Sequence, residues 1–261
     1  MKKATFLTYN KPLLCAMVQE DTVEKMKFVI HNSISNGAEA LGLQLEELVL
    51  EDRTEEKLKD LFATCKGLPT YITSYRGKNS ANLSEDERVE LLLLAAKCGA
   101  TLLDVMSDLY DPQPYEVTEN EEAINKQKEL IKKLHDLGVE VLMSTHTHTF
   151  FDEDTIIKIA KSQQERGVDV VKIVNFSQTE EQLMHNISVC SKLKDNIDRP
   201  YLFLTNGVHG RFIRHVGPTL GCCMYLCVNE YKPGYSTEQP KLTAIKQVRD
   251  NFILYEKKEK Q

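Results

Sequence analysis

Short runs rich in Val, Ile, Leu and other apolar residues return along this chain at roughly 30-residue intervals, with amphipathic stretches between most of them. Runs that are apolar throughout suit strands buried on both faces, because a strand with one wet face would alternate. They cover residues 13–18, 40–45, 70–75, 101–106, 139–144, 169–174, 201–205 and 221–228. Helical spacing is read over 23–36, 55–65, 84–98, 121–137, 154–166, 180–193 and 243–255, and no helix is assigned between the seventh and eighth runs. Ser84 and Glu87 form a Ser-x-x-Glu capping box. Gly37, Gly67, Gly99, Gly138 and Gly167 stand near helix-to-strand joins, where a left-handed residue ends a helix. Eight strands at this spacing predict an α/β fold, a (β/α)8 TIM barrel, as one domain over 1–261. A doubly wound open sheet is the alternative. It usually carries a glycine-rich loop after its first strand, and none follows Val18.

Charge and cysteine usage narrow the class. A net charge of -6 argues against general nucleic-acid binding. Seven cysteines, an odd number and mostly within apolar runs, read as buried free thiols of a reducing compartment. No apolar run approaches the about 18 residues of a membrane span. The N-terminal residues lack a signal-peptide core. A soluble, cytoplasmic protein is expected.

One residue conflicts with its surroundings. Lys172 stands in the run Asp169-Val170-Val171-Lys172-Ile173-Val174, among residues read as a buried strand. A lysine there either snorkels to solvent from a strand end or serves as a desolvated amine, able to attack a carbonyl. Barrel enzymes place catalytic groups at the C-terminal ends of strands and in the loops after them. That rule brings His146, at the end of the fifth strand, beside Lys172 on the sixth. An iminium on Lys172 would act as an electron sink while His146 removes an α-proton. Arg76 and Arg214 follow the third and seventh strands, and guanidinium groups there would grip an anionic substrate. Arg88 and Arg211 are read as surface arginines. Asp104, on the fourth strand, is placed near the site. The polar stretch 231–240, with its Pro233-Gly234 turn, reads as a lid.

A rival reading uses His146 and His148 as a His-x-His metal motif, completed by His209 and His215, as in a metal-dependent barrel hydrolase. That motif normally ends a first strand, whereas here it ends the fifth.

The order of these motifs resembles the type I 3-dehydroquinate dehydratase family over most of the chain. The resemblance is carried by Gly37-Ala38-Glu39-Ala40, Thr73-Ser74-Tyr75-Arg76, Val141 through His146, Gly167 through Ile173, Asn206-Gly207 through Arg214, and Pro233-Gly234. It implies a Schiff-base lyase of the shikimate route, converting 3-dehydroquinate to 3-dehydroshikimate without metal or organic cofactor. Lys172 would be the Schiff-base lysine and His146 the general acid and base. Arg76 and Arg214 would bind the substrate, a small anionic keto acid, and the lid residues Ser236 and Gln239 would close on it. Homodimers are common in such a family, although no apolar stripe here demands one.

The chain departs from the family pattern where substrate is held. The second strand usually ends Glu-x-Arg-x-Asp and here reads Gly42-Leu43-Gln44-Leu45-Glu46, leaving Gln44 as the candidate contact. The glutamate that partners the histidine is expected soon after Arg76, where Asn79 and Ser80 stand. Thr147 replaces an aspartate. These changes leave three readings open: a divergent dehydratase, a Schiff-base lyase or aldolase for another hydroxy-keto acid, and a non-catalytic relative that binds a ligand.

Overall fold

The structure is a computed structural model, which describes residues 4–8, 11–233 and 237–256. Eight parallel strands alternate with helices: β1 (Leu13–Val18), α1 (Val23–Ser35), β2 (Ala40–Gln44), α2 (Glu55–Thr64), β3 (Thr70–Thr73), α3 (Glu85–Cys98), β4 (Leu102–Met106), α4 (Glu121–Asp136), β5 (Glu140–His146), α5 (Glu153–Glu165), β6 (Val170–Phe176), α6 (Glu180–Lys192), β7 (Tyr201–Asn206), α7 (Gly210–Leu220), β8 (Met224–Cys227) and α8 (Leu242–Glu256). The strands pair in the order β7-β6-β5-β4-β3-β2-β1-β8. At the seam between β7 and β8, the Cys223 N–H reaches the Tyr201 carbonyl at 2.9 Å. The result is a nearly closed TIM barrel.

Local chemistry explains most boundaries. Side chains of Thr22, Thr54, Ser84, Asn120, Asp152 and Thr179 accept backbone N–H bonds at the starts of α1 to α6. The Ser84–Glu87 capping box is formed. All five glycines at the helix-to-strand joins have positive φ, as at Gly99, which closes α3 with φ 113°. The strands are almost wholly buried, as their unbroken apolar runs require.

Three expectations need correction. The segment between β7 and β8 is a helix, α7, hidden in the sequence by Gly210, Gly217 and Pro218. Second, β5 and β6 run on to His146 and Phe176, while β3 stops at Thr73 and β8 is short. Third, Arg88 is not a surface residue: it is 1% exposed, and its guanidinium donates to the carbonyls of Ser74, Tyr75, Ser80 and Leu83. It thereby fixes the β3–α3 loop. Among the described residues no helix is long and apolar enough to cross a membrane.

Candidate active site

A chamber of about 130 Å³ opens at the C-terminal ends of the strands. Its walls follow the two-residue period of strand side chains. Met17 and Gln19 come from β1 and its end, Tyr71, Thr73 and Tyr75 from β3 and its end, and His146 from β5. Lys172, Val174, Leu204, Asn206 and Leu226 extend the wall through β6, β7 and β8, with Arg214 contributed by α7. A larger cavity of about 330 Å³ adjoins the chamber at Met17 and Gln19, and one of about 420 Å³ lies apart from it, but Lys172 lines neither of them.

Lys172 is buried at the chamber floor, its side chain 4% exposed. Strand register sets Ser144 directly beside it and His146 one inward position higher on β5. The Nζ donates to the hydroxyl oxygens of Tyr75 at 2.5 Å and Tyr71 at 2.9 Å, and lies 3.4 Å from Asp104 Oδ2. Both phenol O–H groups donate to that same Asp104 oxygen, and the Ser144 hydroxyl donates to Asp104 Oδ1 at 2.5 Å. Burial lowers the lysine pKa from its ordinary value, Asp104 and Glu116 oppose that shift, and Arg214 adds to it. Burial first, then the Asp104 charge, pushes both tyrosines well above their ordinary range, so they remain O–H donors.

His146 Nδ1 lies 2.6 Å from Glu116 Oε2, and the same carboxylate accepts the His146 backbone N–H at 3.0 Å. The partner expected near Asn79 or Ser80 therefore comes from the β4–α4 loop instead. Asn79 donates its amide to the Glu47 carbonyl, outside the chamber. Burial would raise the Glu116 pKa, but the hydrogen bond and charge of His146 outweigh it and hold the carboxyl below its ordinary range. The loop is pinned from beneath: Arg166 donates to the Ser107 and Thr118 carbonyls at 2.6 and 2.9 Å, and Gln127 to the Leu109 carbonyl at 2.8 Å. Glu116 itself has φ 51°, and no periodic offset in the sequence marks it.

The two arginines separate. Arg214 is 6% exposed and donates to the Thr205 carbonyl at 3.0 Å and Asn206 Oδ1 at 2.6 Å while lining the chamber. Burial lowers its pKa to about 10, against the opposing charge of Glu238, so it is a cation at neutral pH. Arg76 does not line the chamber. Residues 71, 73 and 75 of β3 and its end face inward, so residue 76 faces out. Its guanidinium grips Glu85 at 2.6 and 3.0 Å and Asp108 at 2.8 and 2.9 Å. Tyr75 occupies the inward place, and neither tyrosine was singled out in the sequence. Their alternation with Thr73 toward a strand end was the available signal.

Gln44 and Gln239 both reach the chamber, and each has a buried Oε1 without a hydrogen-bond partner. Gln44 Nε2 donates to Glu46 Oε1 at 3.0 Å. Glu46 also accepts the Thr73 hydroxyl at 2.8 Å, and burial pushes its pKa up to about 7. Ser236 lies outside the described residues. Thr147 is buried and donates its hydroxyl to the Thr149 carbonyl at 2.5 Å, away from the chamber.

The histidines do not assemble into the metal arrangement. The His148 ring stacks near that of His146, with centroids 6.5 Å apart, while His146 is committed to Glu116. His209 stands at the start of α7, and His215 Nδ1 lies 2.6 Å from the Arg211 carbonyl. Among the described residues, no three His, Cys, Asp or Glu side chains gather to hold a metal ion.

A family profile described as type I 3-dehydroquinase matches residues 14–252. The fold is similar to that of 3-dehydroquinate dehydratase from Geobacillus kaustophilus, with TM-score 0.81 and 14% identity over 94% of this chain and 93% of that one. The type I enzyme from Clostridium difficile, solved with covalently modified comenic acid, gives TM-score 0.79 and 17% identity, covering 94% of each chain. The Enterococcus faecalis dehydratase gives TM-score 0.76 and 14% identity, over 95% of this chain and 98% of that one. No curated protein matches the sequence.

Proposed function

The chain belongs to the type I 3-dehydroquinase family, and from that premise we propose that it is a Schiff-base lyase that dehydrates 3-dehydroquinate to 3-dehydroshikimate. One observation carries the reading: a buried amine, Lys172, shares a small chamber with a carboxylate-backed histidine and a buried arginine. Lys172 condenses with the C3 ketone, expelling water and leaving an iminium. Arg214 holds the substrate carboxylate. His146, oriented by Glu116, takes the proton from C2 as the electron pair moves into an enamine. The imidazolium then returns a proton to the C1 hydroxyl, which departs as water, and hydrolysis of the iminium frees the product. The two orphaned amide oxygens of Gln44 and Gln239 suit substrate hydroxyl donors.

A second reading keeps the same lysine chemistry for another hydroxy-keto acid, as a lyase or aldolase. It is favoured by the chamber wall at β1 and β2. Gln44 replaces the family's arginine, Arg76 is engaged elsewhere, and Met17 fills the space above Gly42.

Mass spectrometry after incubation with 3-dehydroquinate and sodium borohydride tests both. A stable adduct on Lys172, absent from Lys172→Ala, is expected, with release of dehydroshikimate when borohydride is omitted. An adduct formed only with other keto acids would move the assignment to the second reading. A folded protein that traps no keto acid would overturn the lyase assignment and leave a binding role.

A further inference from the structure

Lys172 must lose a proton before it can attack; Asp104 Oδ2 lies 3.4 Å from its Nζ, a long direct contact, and a tighter hydrogen-bonded route to the same carboxylate runs through a phenol. The Nζ donates to the Tyr75 oxygen, and the Tyr75 O–H donates in turn to Asp104 Oδ2. The direction of both bonds is that of proton movement from amine to carboxylate. Tyr71 makes the same two contacts but is fully buried below, whereas Tyr75 is half-buried and stands where the chamber opens. The Tyr75 ring meets the His146 ring edge-on at 5.1 Å, so the phenol stands between the two reacting groups. His146 is held by Glu116 at 2.6 Å and serves the carbon-bound proton.

We infer that Tyr75 is a further catalytic residue, carrying protons between the Lys172 amine, Asp104 and the carbonyl oxygen while the Schiff base forms and is hydrolysed. The inference rests on the Schiff-base reading. The lysine ammonium begins with three protons. One passes through Tyr75 to Asp104, and the freed nitrogen pair forms the C–N bond as the carbonyl π pair moves to oxygen. A second proton moves from nitrogen to that oxygen, giving the carbinolamine. The stored proton returns through Tyr75 to the hydroxyl, the C–O bond breaks, and water leaves with the bonding pair. The nitrogen pair closes the C=N bond. Two protons have left on water and one remains on the iminium nitrogen, so nothing further is consumed.

The charged and titratable groups around Lys172 are Tyr71, Tyr75, Asp104, Glu116, Arg214 and His146. Among the described residues Tyr71 offers the parallel path, its hydroxyl 3.1 Å from that of Tyr75, but its contact with the Nζ is the longer of the two, 2.9 Å against 2.5 Å.

The test compares the rate of borohydride-trapped adduct formation in wild type and Tyr75→Phe, with 3-dehydroquinate and pyruvate as probes. Tyr75→Phe is expected to slow trapping about 100-fold near neutral pH, the size of a lost proton-transfer group. The rate should climb toward wild type as pH rises and water takes the lysine proton directly. Ligand affinity measured by calorimetry without borohydride should change little. A merely structural role would instead weaken binding and give no recovery at high pH. Trapping at the wild-type rate by Tyr75→Phe would overturn the inference alone, while no adduct on wild type would remove the lyase reading and this inference with it. A measurement on wild type needs no variant: adduct formation should slow in D2O, and a rate indifferent to D2O would count against the relay.

Discussion

Met17 stands in the space that any side chain at position 42 would need: a Cβ there would overlap the Met17 Sδ and Cε. The two residues are paired across β1 and β2, and Met17 lines the chamber beside Lys172. The glycine and the methionine therefore form one unit, in which removing a polar side chain from β2 admits a thioether from β1. Gly42→Ala alone should cost about 1 kcal/mol, the low end of overpacking, because the atoms in its way are the flexible end of the Met17 side chain. Met17→Ala alone should cost about 2 kcal/mol or more through the void it leaves. Together they should cost less than the sum by about 1 kcal/mol or more, because each relieves the other. Urea unfolding of the three variants measures this, and strict additivity would mean the residues do not share that space.

Arg214 and Arg76 are predicted to part in their effects. Arg214→Ala should weaken binding of a keto acid at least about 10-fold, since a buried cation facing the chamber is lost. Arg76→Ala should leave binding nearly intact and lower stability by about 1–3 kcal/mol. The loss comes from Asp108, 1% exposed at its side chain, which would remain buried without its guanidinium. Arg76 is 26% exposed, so the lower part of that range is expected. Calorimetric titration and chemical denaturation read the two effects separately. Equal losses of affinity would return Arg76 to the site.

Strand positions were legible because burial on both faces leaves an unbroken apolar run, and Lys172 was conspicuous as the exception within one. His146 followed from the barrel rule alone. Contacts made by irregular or interrupted segments were not legible. Glu116 arrives from a loop shaped by Arg166 and Gln127, and nothing in its neighbours' spacing announces that reach. The sequence places Arg214 only after the seventh strand, because two glycines and a proline mask the periodicity of α7, the helix in which it is buried. Arg76 differs from the expectation by parity: just past the end of β3, a single position separates Tyr75, facing the chamber, from Arg76, paired with Glu85 of α3. Tyr71 and Tyr75 looked like ordinary strand aromatics, and only the closure of the barrel brings their hydroxyls to an amine about a hundred positions later, at separations of 101 and 97 residues.

Glu116→Gln should separate orientation from covalent capture. The amide keeps the size of the side chain but loses the charge that stabilises an imidazolium on His146. Turnover of a competent substrate should fall about 100-fold or more, as for loss of support to a general base. Borohydride trapping on Lys172 should persist, because the lysine network does not pass through Glu116. Loss of trapping in step with turnover would mean that Glu116 organises the chamber as a whole. The carboxyl of Glu116 is held below its ordinary range. Its pairing with His146 therefore contributes stability above the unfolded carboxylate pKa, and that contribution is lost only as pH falls through the lower folded value.

Glu46 makes a pH prediction of the opposite sign. Burial raises its pKa from 4.5 to about 7, opposed by the Thr73 hydroxyl and nearby backbone donors. The fold thus prefers the protonated carboxyl. Below pH 4.5 both folded and unfolded chains carry the proton, and the protein has the full benefit. Between 4.5 and about 7 the unfolded chain releases its proton while the folded chain keeps it, so stability declines as pH rises. The decline attributable to this residue is about 3 kcal/mol at most. Glu46→Gln removes the titration and places an amide beside Gln44, whose own Oε1 lacks a donor. The difference in unfolding free energy between variant and wild type should therefore grow in favour of the variant from pH 5 to pH 8. Parallel curves across that range would mean that Glu46 is ionised throughout, with its charge met by Gln44 and Thr73.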